Sequence, residues 1–272
     1  MRDMVQIVQV RYAYPRDYTT FGNVDFGTVK GFSLDYDMRK TRTSNLSLRL
    51  NYTLQFADGT GSNDVTQLNL VGSGQPNLRT ISPLSYDARH MINVTADYRF
   101  GEGDSYNGPL VKGKQFLSNF GINLIARTRS GTPYTQQQNP TAEGKESVPQ
   151  RPIPKGSING ARLPWTFRLD LRIDKGFNIT PKNKETGKAG RPLYLNVYLW
   201  VQNLLDTRNI VRVYSYTGNV DDDGYLSSSI GQQDVGNQIN PNSYVDLYNA
   251  WIDNPDNYSL PRTIRLGLRF DF

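Results

Sequence analysis

The sequence predicts an all-β protein: an antiparallel transmembrane β-barrel, present in part, with about nine strands of a larger barrel. Three observations predict it. The chain ends "RTIRLGLRFDF", where Ile264, Leu266, Leu268, Phe270 and Phe272 alternate with Arg265, Gly267, Arg269 and Asp271. The same two-residue period recurs along the chain. The connections between the alternating runs are short in some places and long and polar in others.

Side chains on a strand point to opposite faces in turn, so each such run has one greasy face and one polar face. In chain order the runs are these. "QVRYAY" and "KGFSLDYDM" are weak examples. "NLSLRLNYTLQF" puts Leu46, Leu48, Leu50, Tyr52, Leu54 and Phe56 opposite Ser47, Arg49, Asn51, Thr53 and Gln55. "INVTADYRF" sets Ile92, Val94, Ala96, Tyr98 and Phe100 against Asn93, Thr95, Asp97 and Arg99. "NFGINLIART" is weaker, and "FRLDLRID" alternates Phe167, Leu169, Leu171 and Ile173 with Arg168, Asp170, Arg172 and Asp174. "LYLNVYLWVQN" has Leu193, Leu195, Val197, Leu199 and Val201 on one face. "NIVRVYSY" reads as the eighth strand and the C-terminal run as the ninth.

A soluble β-sandwich also alternates, with its greasy face packed on a second sheet. Two features favour a membrane. Several runs reach ten residues, where soluble strands average ~5–6 and membrane strands need ~9–11. Aromatic residues sit near the strand ends, at Tyr12, Tyr14, Phe56, Tyr98, Phe100, Phe270 and Phe272, where interfacial girdles belong. Arg and Asp at i and i+2 on the polar faces suit ion pairing inside a wet lumen.

Residues 57–88, 130–164 and 218–260 are long and rich in Gly, Pro, Asn, Ser and Asp, whereas 40–44 and 204–208 are short. Outer-membrane barrels have short periplasmic turns and long outer loops. With nine strands and a periplasmic Phe272, "NLLDT" falls on a periplasmic turn, but so does the long 130–164 segment. Either a further strand lies in 130–165 or one of the nine is not a strand.

Composition narrows the classes. Of 272 residues 37% are hydrophobic, and the mean hydropathy is −0.59. No run approaches the ~20 apolar residues of a membrane helix. Cysteine is absent, which removes disulfide scaffolds, thiolate metal sites and cysteine nucleophiles. The net charge of +6 is spread along the chain, without the basic block that tracks nucleic acid. "MRDMVQIVQVRYAYPRDY" lacks the basic, apolar and small-residue regions of a signal peptide. The expectation is a piece of a longer chain, or a protein that is not exported.

"VYLWVQNLLDTRNIVRVYSYTG" and "PRTIRLGLRFDF" resemble the end of a TonB-dependent receptor, most closely the carboxypeptidase-regulatory-like type of Bacteroidetes. Asn203, Leu204, Leu205 and Asp206 stand where that family has an "NLFD"-like turn, with Leu in place of Phe. "DFGTVKGFSLDYDMRKT", "LNYTLQFADGTGSN", "RTRSGTPYT" and "LPWTFRLDLRIDKGF" follow the family's order over nearly the whole chain. The resemblance implies a bacterial outer-membrane location and uptake of a scarce nutrient such as a siderophore, glycan or peptide. It assigns residues 1–272 to the C-terminal part of the barrel, without a plug domain. It implies lipid as a partner, and TonB coupling through an upstream plug. Arg265, Gly267, Phe270 and Phe272 resemble the C-terminal signal read by the barrel-assembly machinery. Strand addition at an exposed edge gives that signal a physical sense. Two other readings are a porin-like or adhesive barrel, self-contained or closed by several chains, and a soluble β-domain that binds carbohydrate.

Candidate sites are few. "NVDDDGYLSSSI" places Asn219, Asp221, Asp223 and Gly224 like ligands 1, 3 and 5 and the glycine of a calcium loop, but Ile230 replaces the bidentate Glu. A solvated acidic turn is the favoured reading. His90, the only histidine, lies near Ser85, Asp87 and Arg89. Without a G-x-S-x-G elbow this is not a hydrolase set, and no covalent chemistry is expected. Tyr244, Tyr248, Trp251 and Tyr258 concentrate just before the last strand. As outer-loop aromatics they are candidates for stacking on a substrate, against the favoured alternative of packing the loop on the rim.

Overall fold

The structure is a computed structural model that describes residues 4–10, 18–41, 44–66, 68, 80–140, 153–179 and 193–271. Two strands, β1 (Met4–Val10) and β2 (Tyr18–Asp25), form an antiparallel hairpin. After Phe26 the chain enters the main sheet. Its long strands are β3 (Gly27–Met38), β4 (Leu46–Gly59), β6 (His90–Arg99), β7 (Phe120–Arg129), β10 (Thr166–Ile179), β11 (Leu193–Gln202) and β12 (Thr263–Asp271). Their spatial order follows the chain order, and every neighbouring pair is antiparallel. Three two-residue strands complete the set. Of these, β5 (Ser82–Pro83) caps the end of β4, and β8 (Pro133–Tyr134) pairs with β9 (Ala161–Arg162). Two helices, α1 (Ser229–Gly236) and α2 (Pro241–Ile252), lie in the last connection. The predicted all-β antiparallel fold is the fold observed.

The register turns the sequence alternation into two continuous faces. Leu34, Tyr52, Ile92 and Thr128 follow one another across β3, β4, β6 and β7. Farther along, Leu124, Leu171, Val201 and Ile264 line up across β7, β10, β11 and β12. Direct partners in an antiparallel pair share a face, so the greasy residues of all seven long strands lie on one side. The other side carries most of the Arg, Asp, Asn, Ser and Thr residues of these strands.

Burial is inverted relative to a soluble sheet. On the greasy face Leu266 is 75% exposed, Leu268 70% and Phe32 59%. On the polar face Asp170, Asp174 and Asn196 are buried. Among the described residues no second layer covers the greasy face. Removing one such side chain from water is worth about 1.5–3 kcal/mol, so an apolar surface of this extent calls for an apolar covering. Among the described residues no helix is long and apolar enough to cross a membrane.

Aromatic residues mark both margins of this face. At one margin His90 stacks between Tyr52 and Trp165, with ring centroids 6.2 and 5.6 Å away, and Arg89 lies over Phe56. At the other, Tyr98 meets Phe100 edge to face at 5.3 Å, and Phe177 and Phe270 are exposed. From His90 to Tyr98 along β6 is roughly 27 Å at ~3.4 Å per residue. Lys175, on the greasy face near the second margin, reaches out to the carbonyls of Phe116 and Ser118, as a snorkelling lysine does. The expected girdle positions Phe56, Tyr98, Phe100 and Phe270 lie at these margins; Tyr12, Tyr14 and Phe272 lie outside the described residues.

Two sequence expectations are corrected. "NIVRVYSY" is not a strand: residues 209–216 are irregular, with a single bridge from Ile210 to Tyr258. Asn209 explains why. Its side-chain amide accepts from the Phe167 N–H and donates to the Phe167 carbonyl, at 2.7 and 2.8 Å. A side chain thereby takes the sheet edge that another strand would need. Conversely, β2 over "YTTFGNVD" is a strand that the alternation did not reveal. With "NIVRVYSY" removed, the sidedness conflict disappears. The connections from β4 to β6, from β7 to β10 and from β11 to β12 all leave and re-enter the sheet at one end. The strand ends Met38 and Leu46, Arg99 and Phe120, and Ile179 and Leu193 lie at the other, where β12 also ends. The "NLLDT" turn therefore belongs to the long-loop end rather than to a short turn.

Candidate functional site

The polar face is tied together by charges that span strands. Arg99 on β6 donates twice to Asp174 on β10, Nη1 to Oδ2 at 2.9 Å and Nη2 to Oδ1 at 2.7 Å. Asn196 on β11 donates to the same carboxylate at 3.2 Å. Arg168 pairs with Asp170 at 2.7 Å and Arg49 with Asp37 at 3.4 Å. Arg172 lies over the Tyr198 ring and Arg265 over Trp200. The i, i+2 pairing expected from sequence is present in Arg168–Asp170 and Arg269–Asp271; the cross-strand grip of Arg99 needs the strand order.

At the long-loop end a second hub forms around Asp87, which is 1% exposed. One carboxylate oxygen accepts from the Ala57 N–H at 2.9 Å and the other pairs with Arg162. Arg162 also donates to the Asp87 and Gly131 carbonyls. The end of β4, the residues just before β6, the residues just after β7 and those before β10 are thereby joined. Asn203, with φ 54°, starts the "NLLDT" turn. Its backbone N–H donates to Asp170, and its side chain bonds Thr207 and the Leu260 carbonyl. Asp206 accepts from the Arg262 N–H at 2.8 Å. The turn thus clasps the entry and exit of the last connection.

Between the polar face and this clasp lies a cavity of about 540 Å³. The sheet contributes Asn93, Arg127, Arg129 and Arg168, and the loops contribute Asn209 and Ser259. Its far wall depends on a glycine: a Cβ on Gly131 would lie 1.6 Å from the Leu163 carbonyl oxygen. Sequence reasoning named Asp87 only beside His90 as part of a hydrolase set, and it did not single out the arginine pair. "RTRSG" held the signal, because Arg127 and Arg129 at i and i+2 must share the polar face.

The predicted aromatic set divides. Tyr248 is a core residue of the last connection: it is 4% exposed, stacks on Tyr225 at 5.3 Å and donates its hydroxyl to Asp223 at 2.5 Å. Buried there, it does not present its ring to a solute. Tyr244 packs against the same core, and Tyr258 bridges Ile210. Trp251 alone of the four is largely exposed, at 64%. The same core takes up Asp223, one of the calcium-loop candidates. Asp223 is 1% exposed, and its oxygens accept from the Tyr225 N–H and the Tyr248 hydroxyl. Among the described residues no group of three or more acidic or histidine side chains could hold a metal. His90 does not join Ser85 and Asp87 in a triad, since its ring meets Tyr52 and Trp165 while Asp87 serves Arg162.

The C-terminal residues have definite places. Arg265 and Gly267 lie on the polar face, Phe270 on the greasy face at 55% exposure, and Phe272 falls outside the described residues. A Cβ on Gly267 would lie 2.2 Å from Cζ of Tyr198, so the glycine seats that ring.

No family model and no curated protein matches this sequence. Among solved structures the chain is similar to an outer membrane transporter, YddB, from Escherichia coli. The two are 12% identical with a TM-score of 0.45, over 77% of this chain and 26% of that one. The chain thus spans about a quarter of the length of the structure it matches.

Proposed function

We propose that this chain is the C-terminal barrel part of a TonB-dependent receptor in a bacterial outer membrane, importing a scarce nutrient. One observation carries the membrane part of the reading. The greasy faces of seven adjacent strands form one exposed surface, while on the other face Asp170 and Asp174 are buried and paired with Arg168 and Arg99. Lipid matches the first face and a wet lumen the second. TonB dependence and nutrient import rest on the resemblance of the C-terminal segments. In this reading the barrel-assembly machinery recognises β12, and energy coupling comes from a plug outside these residues. The long-loop end, with the arginine-lined cavity and Trp251, meets the solute.

The test is fractionation of cells that express the natural gene. The expected result is recovery in the outer membrane, resistance to carbonate extraction and slower uptake of the solute in cells without TonB. Recovery in the soluble fraction contradicts the membrane reading. Outer-membrane recovery with uptake indifferent to TonB contradicts the receptor reading and favours a porin-like barrel.

A further inference from the structure

We infer that the cavity lined by Arg127, Arg129 and Arg168 binds a small solute carrying carboxylate or phosphate groups. The inference deepens the uptake reading and rests on it for its biological setting.

Three observations point to an anion. First, Arg127 and Arg168 are direct cross-strand partners on β7 and β10, with Arg129 two residues along on the same face. Like charges directly opposite each other destabilise a sheet pair, and an anion between them removes that cost. Second, the neutralisation is incomplete. Arg168 meets Asp170 through Nε, but among the described residues neither Arg127 nor Arg129 has an acidic partner, and no Asp or Glu lines the cavity. Elsewhere on this face Arg99 is matched by Asp174, Arg49 by Asp37 and Arg269 by Asp271, while Arg172 and Arg265 lie over the rings of Tyr198 and Trp200. Third, guanidinium groups present paired donors that fit carboxylate and phosphate oxygens, and Asn93 beside Arg127 adds an amide donor.

Size and position narrow the class. A volume of about 540 Å³ lies within the range of sites for small molecules rather than polymers. The arginines project from the polar face, the opposite side of the sheet from Leu266 and Leu268, so a dissolved solute rather than a lipid headgroup supplies the anion. The wall is preformed by the Gly131–Leu163 approach and by the Asn209–Phe167 bonds.

The experiment is calorimetric titration of the full chain, folded in a neutral detergent, with citrate and with pyrophosphate; maltose serves as a neutral control. Saturable binding of at least one anion, and none of maltose, is expected. Arg127→Gln and Arg129→Gln should each weaken it about tenfold or more, since each removes charged hydrogen bonds. Arg127→Lys should weaken it less than Arg127→Gln. Arg49→Gln, on the same face but outside the cavity, should leave it unchanged. Absence of binding by folded protein, or equal loss in Arg49→Gln, overturns the assignment. Competition by phosphatidylglycerol added to the micelles places the anion in the lipid and overturns it as well. The membrane reading is judged separately: a chain that folds without detergent and still binds citrate contradicts the barrel and keeps this site. A chain that needs detergent and binds neither anion does the reverse.

Discussion

Arg99 grips Asp174 across an intervening strand. The two residues lie on β6 and β10, and both are register partners of Gly121 on β7 between them. The guanidinium passes over that glycine, where a Cβ would lie 2.5 Å from Nη2. Gly121→Ala should therefore destabilise the sheet by about 1–3 kcal/mol through loss of the charged hydrogen bonds. In an Asp174→Asn background the same change should cost much less, because there is no grip left to break. Urea unfolding of the four proteins in detergent checks the coupling; additive effects would show that the glycine matters for another reason.

Gly267 and Tyr198 form a similar pair on β12 and β11. Gly267→Leu collides with the Tyr198 ring and should cost on the order of 1–3 kcal/mol as an overpacked site. Tyr198→Ala should recover much of that loss. Folded yield, read by heat-modifiable mobility on a gel, decides between packing and recognition. Without recovery in the double variant, Gly267 acts as an assembly signal rather than as a seat for the ring.

Asp87 should be the most sensitive acidic residue at the long-loop end. It is buried, whereas its partner Arg162 keeps 27% side-chain exposure. Asp87→Ala removes the carboxylate partner of the Arg162 Nη2 and of the Ala57 N–H, while the Nη1 bonds to the backbone carbonyls remain; the cost is about 1–3 kcal/mol once the exposure of Arg162 is allowed for. Limited proteolysis should cut residues 130–165 faster in this variant, while the short turn at 39–45 keeps its wild-type rate. Equal acceleration at both ends would indicate global loss of structure instead of a loosened loop clasp.

Leu266 separates water from lipid energetically. It is 75% exposed. An exposed leucine in water tolerates Arg within about 0.5 kcal/mol, whereas Arg facing the middle of a bilayer costs ~2–4 kcal/mol. Unfolding of Leu266→Arg in lipid vesicles should show the larger value, and Arg265→Leu on the opposite face a smaller one.

The faces of the strands were legible because a period of two needs only local sequence. Leu46 to Phe56, Ile92 to Tyr98 and Ile264 to Phe270 all lie on the greasy face that their spacing predicts. "NIVRVYSY" alternates as well, yet Asn209 spends its side chain on the edge of β10 and the segment turns away. Alternation records which residues could share a face; it does not record whether a neighbouring edge is free. β2 was missed for the opposite reason: "YTTFGNVD" has mixed polarity. The Arg127, Arg129 and Arg168 cluster depends on which strand lies beside which, and so does the reach of Arg99. Tyr248 could not be told from Trp251 by sequence, since both lie on α2 and only the packing of Tyr225 and Ile252 selects the one that is buried.

The measurement that bears most directly on the central claim uses the absence of cysteine from the chain. Leu266→Cys and Arg265→Cys each give one thiol, on opposite faces of the same strand, for an environment-sensitive fluorophore. In vesicles made with brominated acyl chains, the account predicts strong quenching of the label at position 266 and little at 265. Equal, weak quenching at both positions would mean that water covers the greasy face, and would contradict the membrane-barrel account.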